Sequence, residues 1–291
     1  MSINASRGVI NTLRGSSGVG LVAVAVLCAL TALAATTAGR SPEMWKLIGI
    51  SWVAFAAMAG AAPLGARSAG RERALALVWG YGLASGAMVT SAAVFLLPQA
   101  FGLDPKIGGF GVAAGVLTGF GAHTVGHRFT HADLGFDHTA LELSAHALSA
   151  GAIVGIIYGN MPELGPLLGL AIVSHKGPAG YAAARRLASD GRPVSVLLLP
   201  AAGVGLTAMP SALVQLPADQ TLNAAVFGFA AGVFLHVALD FLPECELGGE
   251  VYEVAQVSDD AHHLLDRLRL HAVGSTALGG LAVFAAWLVL G

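Results

Sequence analysis

Charge is what this chain has least of. Lys, Arg, Asp and Glu make up 11% of its 291 residues, against about 25% in soluble domains. That scarcity excludes an ordinary water-soluble fold. The balance is nearly even, with a net charge of −2, which excludes the basic surface that nucleic-acid binding requires. Cysteine is rarer still, at two residues. Cys28 sits inside an apolar run and Cys245 at the end of another, so their depths differ too much for a disulfide. Signature motifs are missing as well: there is no HExxH, GxSxG, Walker loop or CxxC. The segment His175-Lys176-x-Pro178-Ala179 lacks the glutamate that a zinc protease uses as general base. The chain therefore does not read as an enzyme, and nothing in it binds a nucleotide.

What is abundant is long apolar sequence. Runs free of Asp, Glu, Lys and Arg cover 15–39, 47–66, 74–103, 107–127, 143–162, 193–218, 220–239 and 270–291. Most approach or exceed the roughly 20 residues needed to span a hydrocarbon core of about 30 Å. The segment 164–184, interrupted by Lys176, makes nine predicted spans. The lipid bilayer is then the solvent, and only helices satisfy their backbone within it without closing a barrel. The fold class is an all-α polytopic transmembrane bundle. The first run is too long for a signal peptide and reads as a retained helix.

Short loops make the positive-inside rule informative. With the N-terminus inside, cytoplasmic segments hold Arg7, Arg14, Arg67, Arg71, Arg73, Arg128, Arg185, Arg186, Arg192, Arg267 and Arg269. Outer segments hold only Arg40, Lys46 and Lys106. This orients a multi-pass protein of the cell membrane, N-terminus cytoplasmic and C-terminus outside. The longest loop, 244–269, falls inside and is acidic. Val257-Ser-Asp-Asp has the form of a helix N-cap, so a surface helix is expected in its second half.

Two spans resemble each other. The third contains Gly82-x-x-x-Gly86 and ends Phe95-Leu-Leu-Pro98-Gln99; the eighth contains Gly228-x-x-x-Gly232 and ends Phe241-Leu-Pro243-Glu244. By the topology above they run in opposite directions. Such a pair suggests an inverted repeat, which places a site near the midplane. Small-residue contacts are common in every membrane bundle, so the similarity has that simpler explanation too.

Ionisable groups at bilayer depth cost on the order of 3 kcal/mol or more and usually mark function. His146 lies within the fifth span and His175-Lys176 within the sixth. Imidazole suits Zn, Cu, Ni and Fe(II), and two histidines on neighbouring helices can share a cation or bond neighbouring carbonyls as packing. Lys176, as an ammonium, repels a metal. It stands in for a cation, pairs with an acid, or snorkels. The one acid inside a span is Asp240, four residues after His236 on the eighth helix; the two form a ligand pair or a proton relay. At the cytoplasmic end of the fourth span, His123, His127 and His131 recur every four residues on one face, with Asp133, Asp137 and His138 beyond. They read as a metal-binding loop or as a solvated helix end. His262, His263 and His271 are expected to face solvent.

At these residues the chain resembles the ZIP (ZRT/IRT-like) family of divalent-metal transporters, over about residues 46–291. Phe95-Leu-Leu-Pro98-Gln99 is similar to the HLLPEA ending of the family's second helix. Gly232-Val-Phe-Leu-His236-Val-Ala-Leu-Asp240-Phe-Leu-Pro-Glu244 is similar to its seventh helix, and the histidine-bearing loop 123–138 to its variable cytoplasmic loop. The resemblance implies eight core helices in an inverted-repeat arrangement (41–291) plus one extra N-terminal helix within 1–40. In the family's HNxxD motif this chain has His146-Ala147-Leu148-Ser149-Ala150. In the HExPHE motif it has His175-Lys176-Gly177-Pro178-Ala179-Gly180. One histidine of each motif is kept and the acids are replaced. The implied metal ligands are His146 and His175, with Met88 as accessory and Lys176 in place of a second cation.

The expected function is transport of a divalent cation, zinc or a similar transition metal, by alternating access. The metal is substrate, and no cofactor is expected. His123, His127, His131 and His138 would accept released metal. The resemblance implies homodimers, and the Gly-x-x-x-Gly faces would allow them or serve packing within one chain. The alternatives are a non-transporting ZIP-like metal sensor or regulator, and a haem protein using the intramembrane histidines.

Overall fold

The computed structural model describes residues 2–38, 42–68, 74–130, 138–160, 167–214, 217, 219–243 and 261–290. Among them every long element is a helix, as an apolar chain without water to satisfy its amides requires. The helices are α1 (Ser2–Ala38), α2 (Pro42–Arg67), α3 (Ala74–Ser91), α4 (Leu97–Leu103), α5 (Pro105–Thr130), α6 (His138–Asn160), α7 (Leu167–Ser189), α8 (Leu198–Ser211), α9 (Gln220–Asp240) and α10 (Ala261–Leu290). Seven segments are long and apolar enough to cross a membrane: Gly18–Thr36, Glu43–Arg67, Ala74–Leu103, Leu143–Asn160, Val194–Ser211, Gln220–Asp240 and His263–Val289. The protein is thus built as a multi-pass membrane protein. The other two predicted spans are also helical, as α5 and α7. Lys176, Arg185 and Arg186 make α7 the less apolar of the pair.

Helix starts follow the local sequence. The Asp104 carboxylate accepts from the Lys106 and Ile107 amides at 2.9 and 3.0 Å, ahead of α5. Asp219 accepts from the Thr221 amide at 2.7 Å and caps α9. Both are ordinary N-cap uses of a short acceptor side chain. Pro105 takes the first position of α5, where its missing N–H loses nothing.

Three boundaries differ from expectation. The third span is not one α-helix: a π-helical turn, Ala92–Leu96, joins α3 to α4, with the Leu97 amide bonded to the Ala92 carbonyl. Pro98 follows directly, has no N–H and crowds the preceding turn, and a π-turn absorbs such a misfit. The helix expected in the second half of the acidic loop is present and runs unbroken into the last span. From Ala261 the chain is one helix through to Leu290, because no Gly or Pro lies between 261 and 273 to stop it. Residues 244–260 of the acidic loop lie outside the described residues. Finally, α1 begins at Ser2, well before the apolar run.

Small residues fix the packing, and the closest pairs all run parallel. Along α3 and α10, Gly82 faces Ser275, and Gly86 faces Thr276 and Gly280. Along α5 and α9, Gly108 and Gly111 face Gly228, Gly115 faces Gly232, and Gly119 faces His236. Along α2 and α7, Gly169 meets Ile50, Gly180 meets Met58, and Gly65 meets Tyr181. Along α6 and α8, Gly203 meets Ala147, Gly151 meets Val204, and Gly159 meets Ala212. Numbers rise together in each pair, so both partners point the same way. Hydroxyls tie helices together: Ser85 donates to the Ala238 carbonyl (2.8 Å), Thr207 to Leu148 (2.7 Å), Ser211 to Ala152 (3.0 Å) and Ser275 to Val78 (3.1 Å). Without water competing for hydrogen bonds, such contacts and close backbone approach hold a bundle together. Both Gly-x-x-x-Gly faces are therefore buried inside the chain and are not available as a dimer surface.

The outer surface is apolar. Leu21, Phe110, Leu117, Leu270, Val273, Leu281 and Val289 all lie exposed. In water they would form a large aggregating surface; against lipid tails they are at home. The first helix, α1, rests on α8 and α2. Leu27 is buried against Gly205, and Trp52 donates to the Thr31 hydroxyl at 3.0 Å.

Candidate functional site

His146 and His175 meet in the interior of the bundle. Counted from His138 and from Leu167, each is the ninth residue of a 23-residue helix. Each therefore sits near the middle of its own helix. Their Nε2 atoms are 3.3 Å apart, and the ring centroids 5.4 Å apart at an interplanar angle of 57°. His175 is 2% exposed. The small residues around them permit the approach: Ala147 and Ala150 are fully buried next to His146, and Ala179 lies one turn beyond His175.

The separation is informative. An N–H···N contact of 3.3 Å is longer than the usual hydrogen-bond mode of about 2.9–3.0 Å. Two nitrogens bound at about 2.0–2.1 Å to one tetrahedral ion stand about 3.3 Å from each other. The spacing suits either a long imidazole–imidazole hydrogen bond or two ligands of one tetrahedral cation. No third His, Cys, Asp or Glu joins them among the described residues.

Phe234 of α9 packs edge-on against both rings, with centroids 6.4 Å from His146 and 5.9 Å from His175. It is 2% exposed and closes that side of the pair to polar groups. Sequence reasoning missed Phe234. It lies in the stretch of α9 that resembles the ZIP seventh helix, where the ionisable residue is His236, two places later. Two residues turn a helix by about 200°, so His236 faces the other way. It packs on Gly119 of α5 and pairs with Asp240 at 3.2 Å. The His236–Asp240 pair forms as expected from its spacing, on the face of α9 opposite the histidine site.

Lys176 follows His175 and is 1% exposed, so it does not snorkel. Its ammonium has no hydrogen-bond partner among the described residues. The expected pairing with Asp240 is not made, because Asp240 lies at the end of α9 and is engaged by His236. Nδ1 of His146 is likewise buried and without a hydrogen-bond partner among the described residues.

Met88 is fully buried, packed with Ala84 and Ala238 in a small cluster distinct from the one containing Phe234. Of the other histidines, His263 is exposed and His271 stacks beside Trp79 with ring centroids 6.1 Å apart. The side chains of His123, His127, His138 and His262, and all of His131, lie outside the described residues. No protein-family model matches this chain, and no curated protein matches it.

Proposed function

We propose that this protein is a ZIP-like transporter that carries a divalent transition-metal cation, zinc or one like it, by alternating access about the His146–His175 pair. The observation that carries the reading is the 3.3 Å separation of the two Nε2 atoms, a part-buried contact within the bundle that matches the bite of a tetrahedral ion. His146 and His175 are the ligands in this reading, and the metal is the substrate. Release toward the cytoplasm is assigned to His123, His127, His131 and His138, with the N-terminus inside and the C-terminus outside.

Helix pairing supports an inverted repeat. Number the eight helical spans after α1 from one to eight, and exchange one with six, two with seven, three with eight and four with five. The α5–α9 pair then becomes α10–α3, and the α2–α7 pair becomes α8–α6. All four close contacts are accounted for by the exchange. Gly82 and Gly86 take the place of Gly228 and Gly232, and each set packs its helix on a parallel neighbour. The same exchange swaps α6 with α7, the helices that carry the two histidines. A site on such an axis is where alternating-access carriers bind their cargo.

The test is flux. Purified protein in liposomes enclosing a metal-sensitive dye should admit zinc or cobalt down a gradient, above protein-free vesicles. If no transition metal moves under any gradient applied, transport is ruled out.

One observation favours the second reading, a non-transporting sensor or regulator: Lys176, next to His175 in the chain, is buried and has no hydrogen-bond partner among the described residues. Lys176→Glu separates the two. If the lysine takes part in transport, the substitution removes flux. Tighter metal binding in Lys176→Glu, with no flux in either protein, is the signature of the sensor.

A further inference from the structure

A groove opens on the surface of the bundle between α3, the residues that follow α9, and α10. Gly86 and Thr90 of α3, Leu242, and Ala272, Ala277 and Phe284 of α10 are among the residues that line it. Glycine and alanine leave the hollow where larger side chains would fill it. Its volume is about 910 Å³, within the range of about 300–1,000 Å³ of ligand-binding clefts. Along α10 the lining runs from Ala272 to Phe284, a rise of about 18 Å. One leaflet supplies about half of a hydrocarbon core of about 30 Å, so the groove is as deep as one acyl chain is long. It faces lipid. Val273 and Leu281, on the same lining, are 71% and 61% exposed.

A cation stands at one end of this groove. The apolar run of α10 begins at Leu270, and Arg269 is the last charged residue before it. Arg269 precedes Ala272 by three places and Val273 by four, so it lies on their face of the helix. Helical side chains tilt toward the N-terminus, which carries the guanidinium out of the groove and into the headgroup layer. It is exposed there, with Nη1 bonded to the Asp266 carboxylate at 2.9 Å. An exposed ion pair of this kind is weak, and the guanidinium fork suits two oxygens of a phosphate. Arg267 is exposed as well, but two residues turn a helix by about 200°, so it points away from the groove. We propose that the groove holds one acyl chain of an anionic phospholipid, whose phosphate rests on Arg269. At this place lipid is a specific partner and not only the solvent, and it braces the seam between α3 and α10.

Native mass spectrometry of the purified chain, released from detergent micelles, counts bound lipids directly. The probes are dioleoyl phosphatidylglycerol and dioleoyl phosphatidylcholine, which share their chains and differ in charge. One phosphatidylglycerol should be retained per chain, bound about fivefold more tightly than phosphatidylcholine, the factor that one basic residue contributes at an anionic surface. Arg269→Gln should remove that preference. Arg267→Gln makes the same charge change on the other face and should keep it. Ala277→Trp fills the groove from an exposed position and should abolish retention of both lipids. Equal losses in Arg267→Gln and Arg269→Gln overturn the site and leave only general surface attraction. Retention unchanged in Ala277→Trp overturns the groove as the place of binding. A dimer mass that Ala277→Trp abolishes, with no lipid retained, gives the groove to a second copy and overturns the lipid. No lipid retained on a monomer overturns it as well.

Discussion

Replacing both His146 and His175 by alanine abolishes metal binding. Elemental analysis of the unaltered protein should find zinc or another transition metal near one per chain, and none in the double variant. The size of the effect follows from coordination. The two imidazoles meet there with no third His, Cys, Asp or Glu among the described residues, so the substitution removes both donors of the pair at once. Removing a group that merely supports a metal ligand costs about 10–100-fold in affinity, and removing the ligands themselves costs more. The variant should also melt lower, because both imidazoles pack on Phe234 and truncating packed interior side chains leaves a cavity. A thermal melt in detergent separates loss of the site from loss of the fold. Equal metal content in both proteins would move the site elsewhere, to the histidines of 123–138 in the first instance. Absence of metal from both would end the transport proposal and leave Lys176 as the feature to explain.

Gly86→Ala and Gly232→Ala should each destabilise the protein, and by similar amounts, whereas Gly60→Ala should not. A Cβ at Gly86 would drive into the Thr276 carbonyl oxygen and lie 2.9 Å from the Gly280 amide nitrogen. A Cβ at Gly232 would drive into the Val112 carbonyl oxygen and lie 2.8 Å from the Val116 nitrogen. In both cases the obstacle is backbone, which cannot rotate aside as a side chain would. Forcing such an approach costs about 1–3 kcal/mol, and both pairs would have to separate along their length. Gly60 has nothing within 4 Å of its added Cβ. There alanine replaces the worst non-proline helix former, which gains up to about 1 kcal/mol. The measurement is the melting temperature of each variant in one detergent. A stable Gly232→Ala protein beside an unstable Gly86→Ala one would break the equivalence of the two halves.

Much of this was legible from composition and spacing. Scarce charge and long apolar runs require helices in lipid, and helices are found at all nine predicted positions. His146 and His175 stood out because ionisable groups are expensive at that depth, and the structure brings them together. The Gly-x-x-x-Gly repeat was visible as well, together with the glycine ladder Gly111, Gly115, Gly119 that was there to be noticed. Its purpose was not visible, because a small-residue face looks the same whether it meets its own chain or a second copy.

Local sequence by itself therefore determined the solvent, the helical class and the two histidines. The physical reason is that transfer into lipid acts residue by residue and can be summed along the chain. Tertiary structure decided what depends on distance between helices. It set the 3.3 Å gap between imidazoles, turned Phe234 toward them and His236 away, left Lys176 without Asp240, and matched four parallel helix pairs. None of these can be read from one helix alone, because each arises where the faces of two or three helices come within contact range.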